Sequence, residues 1–238
     1  MKISVITVCY NSENTIEKTI KSVISQNYTD YEYLVIDGGS TDNTTNLINK
    51  YKEYINFYSS EKDDGIYDAI NKGIQKSTGE IICILHSNDI FFNNDTISKV
   101  VSHFNINSNL ECLIGNTIIN KKGSDKILRK YGAKSFKKWM LRIGFSPPHL
   151  STFIKKNVYA NYGLYKKEYK IAGDFEFFLR IFLKYKIISK IINENYIIME
   201  SGGKSSHSIK SNFISSQEII KSFKQNNLYT NWFLILLR

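Results

Sequence analysis

Four short segments of this chain bring chemistry-bearing side chains to the ends of apolar runs: Thr7-Val-Cys-Tyr-Asn11, Asp37-Gly-Gly-Ser40, Asp63-Asp-Gly65 and His86-Ser-Asn-Asp89. Taken singly, each reads as an Asx turn or a helix cap. Four such clusters at successive run ends read together as a site offering hydroxyls, amides and carboxylates to a polar ligand. In the last segment Asp89 is the one acid.

Elements must exist to carry these ends to one place. Short β-branched runs at Ile3–Cys9, 33–36, 56–58, 81–85 and 112–114 alternate with helical patterns in the first ~115 residues, the signature of βαβ units around a buried, mainly parallel sheet. Ile16, Ile20, Val23 and Ile24 repeat at helical spacing; Leu47, Ile48 and Tyr51 mark a second helix, and a third is predicted from Ile66 to Lys76. In a doubly wound sheet, ligands bind beyond the carboxyl ends of the strands, where the four polar segments fall.

The 238 residues, 42% hydrophobic and 23% charged, exclude a disordered tail and a disulfide scaffold. No run approaches the ~20 apolar residues of a spanning helix, and Met1 leads directly into a strand pattern without a signal-peptide start, so a cytoplasmic protein is expected. Cys9, Cys83 and Cys112 lie in separate apolar runs and read as buried thiols. The net charge of +10 is unevenly divided: residues 1–119 carry −6 and residues 120–238 carry +16. Such asymmetry suggests an anionic partner for the second half, be it nucleic acid, a phospholipid surface or a phosphorylated substrate.

Five segments resemble the inverting family 2 glycosyltransferases of the GT-A fold: Ser4-Val-Ile-Thr-Val-Cys-Tyr-Asn11, Val35-Ile-Asp-Gly-Gly-Ser-Thr-Asp42, Asp63-Asp-Gly-Ile-Tyr-Asp-Ala-Ile-Asn-Lys-Gly73, Gly79-Glu-Ile-Ile-Cys-Ile-Leu-His-Ser-Asn-Asp89 and Tyr169-Lys-Ile-Ala-Gly-Asp-Phe-Glu176. They occur in family order across residues 3–180, and are closest to bacterial members that build O-antigen, capsule or other surface polysaccharides. The resemblance implies one GT-A domain over 1–238, its 1–119 half binding the nucleotide sugar and its 120–238 half the acceptor.

The resemblance also implies roles. Thr7, Tyr10 and Glu13 would line a uridine pocket, with Asp37 accepting from base or ribose, Asp63 and Asn71 closing the other side, and His86 and Ser87 completing the donor site. Asp174 would be the catalytic base, with Glu176, two residues on, as the next-best base; Glu176 and His149, in Pro148-His-Leu-Ser-Thr-Phe153, would serve the acceptor side. Where the family commonly has two carboxylates one residue apart, this chain has His86-Ser87-Asn88. A bound Mn²⁺ or Mg²⁺ would therefore rest on Asp89, Asn88 and the substrate diphosphate, with His207 as an added ligand.

Residues 121–142 hold nine basic residues against Asp125 alone. Phe136, Trp139, Met140 and Ile143 fall on one helical face, which predicts a basic amphipathic helix at 135–145 suited to a membrane surface or to core packing. The apolar end 232–237 could dip into the same interface. These features point to a polyprenyl-diphosphate-linked saccharide acceptor and a peripheral position at the inner face of the cell membrane. Rival readings are a sugar nucleotidyltransferase, an inactive sugar-nucleotide binder, and a basic nucleic-acid-binding module. The acidic first half and the lack of an RRM or KH motif argue against the last, so no nucleic-acid partner is expected.

Overall fold

A computed structural model describes residues 1–201 and 209–236. The chain runs β1 (Ile3–Cys9), α1 (Ile16–Ile24), β2 (Tyr31–Asp37), α2 (Thr44–Asn49), β3 (Phe57–Ser60), α3 (Ile66–Lys76), β4 (Ile81–His86), β5 (Asp89–Phe91), α4 (Thr96–Ile106) and β6 (Cys112–Asn120). It continues through β7 (Ile127–Tyr131), β8 (Thr152–Lys155), α5 (Lys156–Tyr162), α6 (Gly173–Leu179), β9 (Ser189–Glu200), α7 (Ile209–Gln225) and α8 (Trp232–Leu236). One sheet joins both halves of the sequence in the order β3-β2-β1-β4-β8-β6-β9-β5, with β7 paired to β6. The β3-β2-β1-β4 side is parallel, β8 runs antiparallel to both its neighbours, and β6 and β9 pair in parallel over a long register.

Strand alternation sorts the core into two layers. Ile3, Val5, Tyr33, Val35, Ile81, Cys83 and Leu85 face α1, α2 and α4, whereas Ile6, Val8, Leu34, Ile36 and Ile82 face α3, α5 and α6. Both faces of β1 are buried, which is why Ile3–Cys9 reads as a continuous apolar run and not as an alternating one. A side chain on Gly73 would collide with Ile6, so glycine there lets α3 lie directly on the sheet.

Strand and helix expectations in the first half hold, with α3 at its predicted bounds and β6 longer than the 112–114 run suggested. The predicted amphipathic helix at 135–145 does not form. Two 3₁₀ segments, Ala133–Ser135 and Lys138–Ile143, replace it, the second closed by Gly144 at φ 84°. With three residues per turn and the turn beginning only at Lys138, the expected apolar face splits. Phe136 enters the core at 3% exposure while Trp139 is 59% exposed. Lys138 is likewise not a surface charge: its Nζ donates to the Ile187 carbonyl at 3.0 Å and lies over the Phe182 ring. Among the described residues no helix is long and apolar enough to cross a membrane.

Candidate active site

The carboxyl ends of β1, β2 and β4 are stitched into one edge by their own polar groups. Asn11, at φ 47°, accepts at Oδ1 from the Thr41 amide, and its own amide donates to Ser40 Oγ at 2.8 Å. Ser12 and Ser87 hydroxyls meet at 2.8 Å, and the Ser87 amide donates to Val8 O. A Cβ on Gly38 would press on the Asp63 carboxylate, so this backbone and Asp63 approach each other closely. Tyr10 stands 47% exposed at the rim.

Asp37 lies beneath this edge, fully buried. Its carboxylate accepts from the Ser40 amide (2.9 Å), Ser40 Oγ (2.5 Å) and Ser60 Oγ (2.6 Å), fixing the turn after β2. Asp63 is half-buried and accepts from the Gly65 amide. Glu13 is exposed and accepts from the Asn43 amide at 3.0 Å, across the gap to α2.

The second half brings its acid to the same edge. Asp174 opens α6, and the loop before it is clamped from two sides. From α3, Tyr67 Oη donates to the Ile171 carbonyl (2.8 Å) and accepts from the amides of Gly173 (2.9 Å) and Asp174 (3.3 Å). From α7, the Glu218 carboxylate accepts from the amides of Lys170, Ile171 and Ala172 at 2.7 to 3.0 Å. Gly173 has no room for a side chain because Tyr67 packs against it. The His149 Nδ1 stands 3.7 Å from Asp174 Oδ2, and the His149 ring meets the His86 ring edge-on at 5.9 Å. Strand β4 and the acid-bearing loop are therefore joined through two imidazoles.

Electrostatically the β4 end is unusual. Burial, and secondarily the nearby His149, pushes the His86 imidazole down to about 3, so it is neutral at physiological pH. Burial pushes the Asp89 carboxyl up to about 8. The Asp89 carboxylate and the Asn88 amide oxygen are the hard donor type that Mg²⁺ or Mn²⁺ prefers. Among the described residues, however, no three His, Cys, Asp or Glu side chains are placed to hold a metal ion together. A cation here would rest on Asp89, Asn88 and the phosphates of a bound substrate. His207 lies outside the described residues.

Three expected site residues are placed elsewhere. Thr7 is fully buried and its hydroxyl accepts from Tyr33 Oη at 3.1 Å, because its side chain points into the α1 layer. Asn71 uses both ends of its amide on the Tyr165 backbone, at 2.8 and 3.0 Å, and so ties α3 to the second half. Glu176 is fully buried, ion-paired to Arg180 and Lys166 and hydrogen-bonded to Asn226, with no face toward the edge. Conversely, Tyr67 and Glu218 were not singled out from the sequence. Tyr67 sits inside the Asp63–Gly73 segment and could have been found there; Glu218 is 46 residues from Ala172 and carries no local signal.

The chain matches the Glycosyl transferase family 2 description over residues 4–169. It is 32% identical over 186 residues to an uncharacterised glycosyltransferase of Mycobacterium tuberculosis, covering 75% of this chain and 68% of the relative. The fold is similar to that of Staphylococcus aureus TarS 1-349 in complex with UDP-GlcNAc, with a TM-score of 0.74 at 20% identity, over 96% of this chain and 68% of that one. It is also similar to a Pyrobaculum calidifontis mannosyltransferase in complex with GDP-Man and Mn²⁺, with a TM-score of 0.68 at 17% identity, over 94% and 63%. The fold is thus the GT-A α/β fold. The chain belongs to glycosyltransferase family 2.

Proposed function

We propose that this glycosyltransferase moves a hexosyl or N-acetylhexosaminyl group from a UDP-sugar to a saccharide acceptor with inversion, using Asp174 as base. The observation that carries the reading is the clamping of the Asp174 loop by Tyr67 and Glu218 at the edge where Tyr10, Asp63 and the His86–Asp89 segment converge. Tyr10, Asp63, Asp37, His86 and Ser87 serve the donor, with Asp37 acting by holding the turn. His149 orients Asp174 from the acceptor side.

In this reaction Asp174 takes the proton of the acceptor hydroxyl as that oxygen attacks the anomeric carbon from the face opposite the diphosphate. A single displacement inverts that carbon. A neutral His86 adds no positive charge to the donor site, and Asp89 with Asn88 would hold a divalent cation, which supplies charge compensation for the departing diphosphate. The setting we infer is surface-polysaccharide assembly on a lipid-linked acceptor, at the inner face of the membrane. Its support is the positive second half and the exposed aromatic cluster around α8. Phe213 stacks on Trp232 at 6.4 Å, Phe233 is 71% exposed, and Trp139 projects from the 3₁₀ turn against which α8 packs.

The test is a thermal-shift and hydrolysis panel of UDP-glucose, UDP-galactose, UDP-GlcNAc and GDP-mannose, with Mn²⁺ or EDTA. A UDP-sugar should stabilise the wild type, more so with Mn²⁺ and not in Asp89→Ala. Stabilisation by GDP-mannose alone would overturn the UDP reading, and full activity in EDTA would overturn the metal.

A further inference from the structure

Strand β6 does not stop where the strands beside it stop. It runs antiparallel to β8, which runs antiparallel to β4, so the carboxyl end of β6 points to the same edge as those of β1 and β4. Ile82 of β4 and Cys112 of β6 both pair with Ile154 and are therefore level. His86 ends β4 four residues beyond Ile82, whereas Asn120 ends β6 eight residues beyond Cys112. The overhang of four residues is about 13 Å of strand rise. The turn from Lys121 to Lys126, closed by the Lys121 amide on the Lys126 carbonyl, lies beyond that. Strand β7 then returns to the edge at Tyr131, whose hydroxyl donates to the Ser146 carbonyl. Ser146 and Asp174 line the same cavity, so the β6–β7 ribbon springs from beside the acid.

All residues from Lys121 to Lys130 are exposed. Lys121, Lys122, Lys126, Arg129 and Lys130 stand against Asp125 alone. Arg129 lies over the Tyr131 ring and Lys130 donates to the Asn193 amide oxygen, neutral partners that leave the charge uncompensated. Glu200, in register with Asn120 at the ribbon's base, is engaged by Lys18, and residues 202–208 contain no Asp or Glu. Charge on an edge strand guards against unwanted pairing, which accounts for the cations. It does not account for Ile127 and Leu128, adjacent in the ribbon and 59% and 53% exposed. A soluble phosphate or a nucleic acid would meet the cations and leave both aliphatics in water. A second ribbon laid alongside would set like charges against one another. An anionic bilayer matches both features, with phosphates at its surface and an apolar interior beneath.

We propose that the β6–β7 ribbon is a membrane wedge. Ile127 and Leu128 enter the headgroup boundary of an anionic phospholipid bilayer, the surrounding cations hold its phosphates, and the edge that carries Asp174 is thereby turned toward that surface. This inference rests on the membrane setting proposed above and assigns the segment and the orientation that achieve it.

The native thiols of Cys9, Cys83 and Cys112 are buried, so a cysteine introduced at the surface takes an environment-sensitive fluorophore selectively. Ile127→Cys reports from the ribbon. Asn109→Cys, exposed in the loop that leads into the amino end of β6, reports from the opposite edge. Vesicles of phosphatidylcholine alone are compared with vesicles of phosphatidylcholine and phosphatidylglycerol in equal parts. On the anionic vesicles the fluorophore at 127 should brighten and shift to the blue while the one at 109 stays in water, and neither should respond to neutral vesicles. Adding Lys121→Ala, Lys122→Ala and Lys126→Ala to the Ile127→Cys protein should weaken vesicle partitioning about a hundredfold. Thermal stabilisation by the UDP-sugar should be unchanged in that variant, which shows that its fold and donor site are intact. A fluorophore at 127 that stays in water while the protein sediments with anionic vesicles would overturn this inference alone, as would equal shifts at 127 and 109. Failure of the wild type to sediment with anionic vesicles would overturn it together with the membrane setting.

Discussion

His149 Nδ1 lies 3.7 Å from Asp174 Oδ2, although 25 residues and two elements separate them in the chain. The pairing places a side chain from the turn before β8 against the acid that opens α6, while Tyr67 fixes that acid's backbone from α3. An acid held by His149 at its side chain and by Tyr67 at its backbone loses little freedom on binding its substrate, which is what a positioned general base requires.

Asp174→Asn keeps the shape and hydrogen-bonding reach of the side chain and removes its basicity. Turnover should fall by ~10²-fold or more while donor KM barely moves, since the lost interaction belongs to the transition state. Steady-state kinetics with a saturating acceptor reads both numbers. Near-normal turnover in a folded variant would remove Asp174 from the chemistry.

Glu176→Gln should behave differently, through the fold. Removing this charge leaves Arg180 at 7% side-chain exposure beside a neutral amide and takes away the acid paired with Lys166. Breaking a buried pair of this kind costs about 3 kcal/mol or more, so the midpoint of denaturant unfolding should fall while kcat of the remaining folded enzyme holds. A large kcat loss at unchanged stability would restore Glu176 to the reaction.

Glu32 gives the chain an acid-sensitive joint. Burial alone would raise its carboxyl, but Ser4 Oγ, Thr78 Oγ1, the Thr78 and Gly79 amides and Lys2 all bind the ionised form and bring it down to about 2. Because the folded-state value is depressed, the stabilisation is present above the ordinary value of 4.5 and is lost as pH falls toward 2. Glu32→Gln should therefore cost roughly 2 kcal/mol at pH 7, and its stability should converge with the wild type as pH falls from about 4.5 toward about 2. A gap that stays constant with pH would refute the assignment.

The membrane reading predicts a specific charge set. Lys138 is tied to the Ile187 carbonyl, so the surface cations of this region to remove are Lys134, Lys137 and Arg142. At about 1 kcal/mol per basic residue near an anionic surface, the triple Ala variant should lose some 3 kcal/mol of attraction and sediment poorly with phosphatidylserine liposomes. Raising the salt should release the wild type in the same way. A Trp232→Ser, Phe233→Ser variant should weaken binding at all salt concentrations. Equal sedimentation of all these proteins would assign the patch to another contact.

The sequence by itself determined the first-half elements and the segments that form the edge. Continuous apolar runs too short for a helix and rich in β-branched residues read as buried strands, and helical apolar repeats between them leave little choice of layer, so Ile3–Cys9 and Ile66–Lys76 are legible locally. The roles of individual polar residues were not. Thr7, Asn71 and Glu176 occupy motif positions, yet their side chains are committed to Tyr33, Tyr165 and Arg180, partners that strand alternation and helix docking alone select. Hydrophobic periodicity also overstated the 135–145 segment, because whether a basic stretch coils as an α-helix or tightens into 3₁₀ turns depends on the core that receives Phe136 and Leu141. Tertiary structure alone brought Tyr67, His149 and Glu218 around Asp174, since contacts spanning up to about a hundred residues leave no periodic trace in the chain that makes them.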